Sequence, residues 1–190
     1  MIDTAVRLFQ RDGYTTTSWR GLVEEAGTPW GSIAHHFPGG KEELGVEALG
    51  VGADLVGKTI TRAFERNDTA SGAIRWWYGK SGAMLAQSGY RLGCPVATVA
   101  LETAHTSEAL TTALEGAVHR WLDLLATGLR GRGIPASEAD DLAMMCLVQI
   151  EGALLVARVL GDTKPVDAAA DLAAALLDAA AELPNDVLPA

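Results

Sequence analysis

Apolar positions fall at helical spacing along almost the whole chain. Ile2, Ala5, Val6 and Phe9 stand at i, i+3, i+4 and i+7, one face of a helix. Asp12-Gly13 ends that run, with Gly13 expected in the left-handed conformation that closes helices. Trp19, Leu22, Val23 and Ala26 repeat the spacing, predicting a second short helix capped by Ser18 or Thr17 and closed by Gly27. Thr28-Pro29 opens a third segment over 28–36, and Pro38-Gly39-Gly40 stops it. Lys41-Glu42-Glu43 opens a fourth, its two acids placed against the helix dipole, and Leu44, Ala48, Val51 and Leu55 carry one face towards Phe64. Longer helices follow over 70–88, 95–103, 107–130, 137–160 and 165–182, with Ser107 and Ser137 as start signals. Residues 184–190 read as a flexible tail. The fold class is all-α with about nine helices: three short ones in a head over 1–44, then a larger helical domain over 45–183.

Composition supports this. The chain holds 32 Ala and only 7 Pro, and alanine is the best helix former. Apolar residues at 48% against 21% charged form cores rather than disordered coils. Gly45, Gly50, Gly52 and Gly57 all fall in the fourth helix and weaken it, so packing is expected to hold it. Cys94 and Cys146 are too few and too far apart for a disulfide framework or a metal-binding CxxC, and read as reduced thiols. No uncharged apolar run of about 18 residues predicts a membrane span, and no signal layout is seen, so a cytoplasmic protein is expected.

A net charge of −9 argues against a general polyanion binder. The charge is uneven, however. Residues 1–44 carry Arg7, Arg11, Arg20 and Lys41 against six acids, so most of the acidity lies beyond the head. A small local nucleic-acid surface is compatible with that distribution.

The pair of short helices around Gly27 has the helix-turn-helix pattern, in which the second helix projects its N-terminal residues towards base edges. Gly13-Tyr14, Thr17-Ser18, Val23-Glu24-Glu25-Ala26-Gly27, Gly31-Ser32-Ile33, His36-Phe37 and Lys41-Glu42-Glu43-Leu44 occur in that order at tight spacing. This string resembles the DNA-binding domain of the TetR family of bacterial transcriptional regulators. His35-His36-Phe37-Pro38-Gly39-Gly40-Lys41 and the later Gly93-Cys94-Pro95-Val96 are similar to its LmrA/YxaF-like branch.

The resemblance implies a homodimeric repressor that sets two recognition helices in successive major grooves, about 34–36 Å apart. A small hydrophobic or aromatic effector, entering the C-terminal domain, would change the tilt of the fourth helix and release operator DNA. On this chain the DNA surface would comprise Thr17, Ser18 and Arg20 on the first motif helix, and Thr28, Pro29, Trp30, Gly31, Ser32, His35 and His36 on the recognition helix. Lys41 would meet a phosphate. Thr and Ser donate to phosphates or bases, a free helix N-terminus attracts anions, and the Trp30 face suits a thymine methyl. Two departures stand out. The family usually has Tyr two residues after the Gly-Ser of the recognition helix, where this chain has Ala34, and the usual basic leader before the first helix is missing. A start site placed too late, or a weak and salt-sensitive binder, is expected.

The C-terminal part has no Ser-His-Asp string, phosphate loop or ordered metal spacing, so no enzyme, cofactor or metal is expected. His105 near Glu102 and Glu108 is the nearest approach to a metal site, at spacing that suits a loop. Trp76, Trp77, Met84, Tyr90, Trp121, Leu125, Met145 and Glu151 are the candidates for an effector pocket, because aromatic and Met side chains line adaptable apolar cavities. Helices 137–160 and 165–182 are apolar around most of their circumference, predicting that a second face packs on another copy of the chain. The competing reading is a helical small-molecule binder with weak or lost DNA binding, motivated by Ala34 and the short N-terminus.

Overall fold

The computed structural model describes residues 1–29 and 35–182. Among the described residues eight helices are delimited: α1 (Ile2–Asp12), α2 (Trp19–Ala26), α3 (Gly40–Arg66), α4 (Ala70–Gln87), α5 (Pro95–Thr103), α6 (Glu108–Arg130), α7 (Ala136–Leu160) and α8 (Lys164–Ala181). No strand occurs among the described residues. The fold is all-α, close to the expected helix count. The segment predicted over 28–36 falls largely outside the described residues, and so does the tail.

Two compact units make up the chain. The first comprises 1–56 and 91–119, the second 57–90 and 120–190. This division differs from the one drawn at residue 44, because residues 91–119 group with the head. In the first unit the buried face of α1 (Ala5, Val6, Leu8, Phe9) shares a core with Leu22 and Val23 of α2 and with Leu44 and Leu49 of α3. Ala5, Val6, Phe9, Leu22, Val23 and Leu44 are positions the helical spacing selected, whereas Leu8 and Leu49 are not, and the selected Ile2 and Trp19 are only half-buried. Helix α5 packs along α1. Burying each such Leu or Phe is worth about 1.5–3 kcal/mol.

In the second unit α8 lies against both α4 and α7. Ala73, Ala173 and Ala174 are fully buried there, and small residues of this kind let helix backbones approach closely. Trp121, Tyr78, Ile74 and Leu125 fill the centre. The Tyr78 hydroxyl donates to the Cys146 backbone oxygen at 2.5 Å, tying α4 to α7.

Three glycines of α3, Gly45, Gly52 and Gly57, are explained by close approach. A Cβ at Gly45 would stand 2.9 Å from the Tyr14 ring, one at Gly52 would stand 2.9 Å from Pro95, and one at Gly57 would stand 3.2 Å from Leu124. Gly50 has open space around it.

Two local expectations need correction. Gly13 has φ 88 and ψ 166, a positive φ but an extended ψ, so it does not make the left-handed closure that Gly27 makes with φ 61 and ψ 27. The chain leaves α1 stretched because it must run on at once into the turn before α2. Ser137 is not the start of its helix: α7 begins at Ala136 with Pro135 as N-cap and no side-chain cap bond. Proline fixes its own φ and thereby sets the start without a capping hydroxyl.

Candidate nucleic-acid interface

The start of α2 is built by its preceding turn. Ser18 is the N-cap, with extended backbone, and its Oγ accepts from the Gly21 N–H at 3.0 Å. Thr16 and Thr17 each donate a hydroxyl back to the end of α1, Thr16 to the Asp12 oxygen and Thr17 to the Gly13 oxygen at 2.6 Å. Thr17 is buried. Expected among the DNA-contacting side chains, its hydroxyl is instead directed inward and holds the turn. Ser18 is exposed, at the N–H-rich end of α2 that favours anions.

Arg20 projects from α2 with its side chain 78% exposed and pairs with Glu24 one turn on, Nε to Oε1 at 2.9 Å. Thr28 is half-buried, and its hydroxyl donates to the Ala26 oxygen at 3.3 Å. Pro29, His35 and His36 are exposed, the two imidazoles edge to face at 5.7 Å. Trp30, Gly31 and Ser32, the centre of the expected recognition surface, lie outside the described residues, as does Ala34.

Every cation of residues 1–44 is already engaged. Arg7 and Arg11 both reach Glu25, at 3.5 and 3.6 Å, and Arg11 forks onto Asp12 at 2.7 Å. Asp12 is held below the usual carboxylate range by that hydrogen bond. Lys41 donates to the Tyr14 oxygen at 2.6 Å, and its ammonium stands 4.3 Å over the Tyr14 ring. Burial lowers the Lys41 ammonium from its ordinary value, with Glu102 opposing the shift, and burial raises the Tyr14 phenol. The arginine pairs are solvent-exposed and contribute little, so a phosphate can exchange for a carboxylate at small cost.

Polar contacts join residues 91–119 to the head. Gln10 Nε2 donates to the Gly93 oxygen at 2.9 Å, the Thr15 N–H donates to Glu102 Oε2 at 2.5 Å, and the Ser107 hydroxyl donates to Glu42 Oε1 at 2.6 Å. Glu102 appears in the sequence only as a neighbour of His105. Its partner is 87 residues away, a separation no local periodicity can signal.

The expected pocket residues scatter by burial. Trp77, Trp121 and Leu125 are fully enclosed, and Trp77 meets Tyr78 edge to face at 5.4 Å. Trp76 is half-buried, with the Arg66 guanidinium 5.9 Å over its ring. Tyr90, Met145 and Glu151 are half-buried, while Met84 is exposed. Gln149 Oε1 is buried and has no hydrogen-bond partner among the described residues. Among those residues no group of three or more His, Cys, Asp or Glu is disposed to hold a metal ion.

Comparison with known proteins agrees with this arrangement. Residues 1–48 match the family described as bacterial regulatory proteins of the tetR family, and residues 70–172 match the C-terminal domain of LmrA/YxaF-like transcriptional regulators. The chain belongs to the TetR family of bacterial transcriptional regulators, in its LmrA/YxaF-like branch. It is 32% identical to the uncharacterized HTH-type transcriptional regulator YxaF of Bacillus subtilis (strain 168), over 87% of each chain. It is 29% identical to the regulator LmrA of the same organism, over 87% of this chain and 88% of that one. Among solved structures, a regulatory protein TetR from Rhodobacter sphaeroides superposes with a TM-score of 0.82 at 21% identity, covering 92% of this chain and 95% of that one. CifR, solved as a cysteine mutant complexed with 26-bp double-strand operator DNA, gives 0.79 at 21% identity, covering 92% and 93%.

Proposed function

We propose that the chain is a homodimeric repressor that binds operator DNA through its helix-turn-helix head and is released by a small hydrophobic or aromatic effector. The observation that carries the DNA half is the open N-terminus of α2. Ser18 caps it and is exposed, Arg20 stands beside it, and Thr17 fixes the turn from below. A phosphate at this end gains free N–H groups and the positive end of the helix dipole. The reading extends to Trp30, Gly31, Ser32, His35 and His36 as the base-reading surface and to the cytoplasm as the place of action.

Dimerisation is supported by an apolar stripe. Met144, Val148, Leu155 and Val159 recur along one side of α7, Val159 at 77% exposure, and Leu172 and Leu176 are exposed on α8. By length and composition α7 is also apolar enough to cross a membrane. Its opposite face is packed as core through Ala143, Cys146, Ile150 and Ala157, so the outward stripe fits a second copy of the chain. The effector half is supported by the half-buried Trp76, Tyr90 and Met145 and by the Gln149 acceptor, which a ligand N–H or O–H would satisfy.

A mobility-shift titration on the DNA upstream of the chain's own gene, with and without planar lipophilic compounds, tests the reading. A retarded band dispersed by a compound that also quenches tryptophan fluorescence supports it. Quenching with no retarded band on any segment of that DNA supports instead a small-molecule binder that has lost its operator, a reading favoured by the engagement of Lys41 with the Tyr14 oxygen and ring.

A further inference from the structure

Lys41 and Glu102 grip the same peptide unit from opposite ends. The peptide joining Tyr14 to Thr15 gives its oxygen to the Lys41 ammonium at 2.6 Å and its N–H to the Glu102 carboxylate at 2.5 Å. A cation at the carbonyl end and an anion at the amide end both align with the peptide dipole, and charge-assisted bonds of this kind are about twice as strong as neutral ones. The glycine at position 13 is what lets Glu102 in: a Cβ there would collide with the carboxylate, and φ 88 already disfavours any side chain. Two residues after the gripped peptide the Thr17 hydroxyl closes on Gly13, and then Ser18 caps α2. The clamp therefore sets where the N-terminus of α2 points. One jaw, Lys41, begins α3, and the other ends α5, outside the 1–48 span of the DNA-binding family match.

We propose that Glu102 is a positioning residue for DNA binding: by holding the Tyr14–Thr15 peptide against Lys41 it fixes the start of α2, and through it the segment 93–107 sets operator affinity. The inference rests on the DNA-binding reading above. It makes a prediction of unusual sign. Removing an acidic side chain from a protein that binds a polyanion strengthens binding through the field alone. If Glu102 positions the turn, removing it weakens binding.

The test uses the full chain and a duplex enriched by the wild-type protein from a random pool. Glu102→Ala is expected to bind that duplex about tenfold more weakly, the scale of one charged hydrogen bond. Glu102→Gln, which keeps an acceptor for the Thr15 N–H, recovers part of the loss. Glu108→Ala removes the same charge without touching the turn and measures the field effect. The slope of log affinity against log salt stays at the wild-type value, because Glu102 touches no phosphate. Amide hydrogen exchange supplies a readout independent of DNA: Thr15 exchanges faster in Glu102→Ala while amides of α4 and α8 do not change. Equal or tighter binding by Glu102→Ala, or unchanged exchange at Thr15 in both variants, overturns the inference and leaves the regulator reading standing. A wild-type chain that enriches no duplex overturns both.

Discussion

The Lys41 ammonium lies 4.3 Å above the Tyr14 ring while donating to that residue's own backbone oxygen at 2.6 Å. One side chain thus joins the first turn of α3 to the turn before α2 by a cation–π contact and a charged hydrogen bond. Lys41→Ala removes both and is expected to destabilise the head by about 1.5–3 kcal/mol. Lys41→Arg, whose planar fork also stacks on aromatic faces, retains most of that stability. Urea unfolding of the two variants checks the ordering.

Gly128 lies flush against the Phe64 ring, and a Cβ at this position would fall within contact range of three ring atoms. Gly128→Ala is expected to cost about 1–3 kcal/mol, the scale of overpacking a core. Gly116, mid-helix with open space around it, gives the opposite sign: Gly116→Ala gains about 0.5–1 kcal/mol of helix stability. Thermal melts of the pair separate packing glycines from merely helix-weakening ones.

Alkaline pH is expected to weaken the second unit through Cys146. Burial pushes this thiol from 9.0 up to about 12, and the Tyr78 phenol is raised as well, again by burial. A group whose value is raised on folding contributes stability that is complete below its unfolded value and is lost above it. Between about pH 9 and 12 the unfolded chain gives up this proton and the folded chain keeps it, so stability falls by up to about 1.4 kcal/mol per pH unit. Unfolding midpoints across pH 8–11 check the slope. The variant Cys146→Ala flattens it below about pH 10, above which the raised Tyr78 phenol adds its own loss.

The outward stripe of α7 is expected to hold two copies together. Leu155→Lys combined with Val159→Lys places two charges on that stripe, where both residues are exposed in the single chain. The variant should therefore keep its helical content and lose the dimer. Light scattering at micromolar concentration reads the change as a halving of mass.

How far the fold was legible follows from the range of each interaction. The buried face of α1 was readable because Ala5, Val6 and Phe9 obey helical spacing, and the limits of α5 because Pro95 fixes the start. Gly45 and Gly52 looked only like helix weakeners, since Tyr14, Leu110 and Pro95, which demand their smallness, come from distant segments. Thr17 read as a phosphate contact because hydroxyls at helix starts often are, yet the Gly13 oxygen takes its proton. Lys41 was recognisable as a residue of consequence. Its grip on the Tyr14 oxygen, and the answering grip of Glu102 on the Thr15 N–H, depend on tertiary structure that no motif encodes.

Two copies of this chain are expected to read DNA through paired helix-turn-helix heads. Selecting duplexes from a random pool with the purified protein and sequencing what it retains tests that most directly. One enriched inverted repeat is expected, its half-sites about 10 bp or one helical turn apart. Retention with no enriched sequence, or enrichment of a single unrepeated half-site, would contradict it.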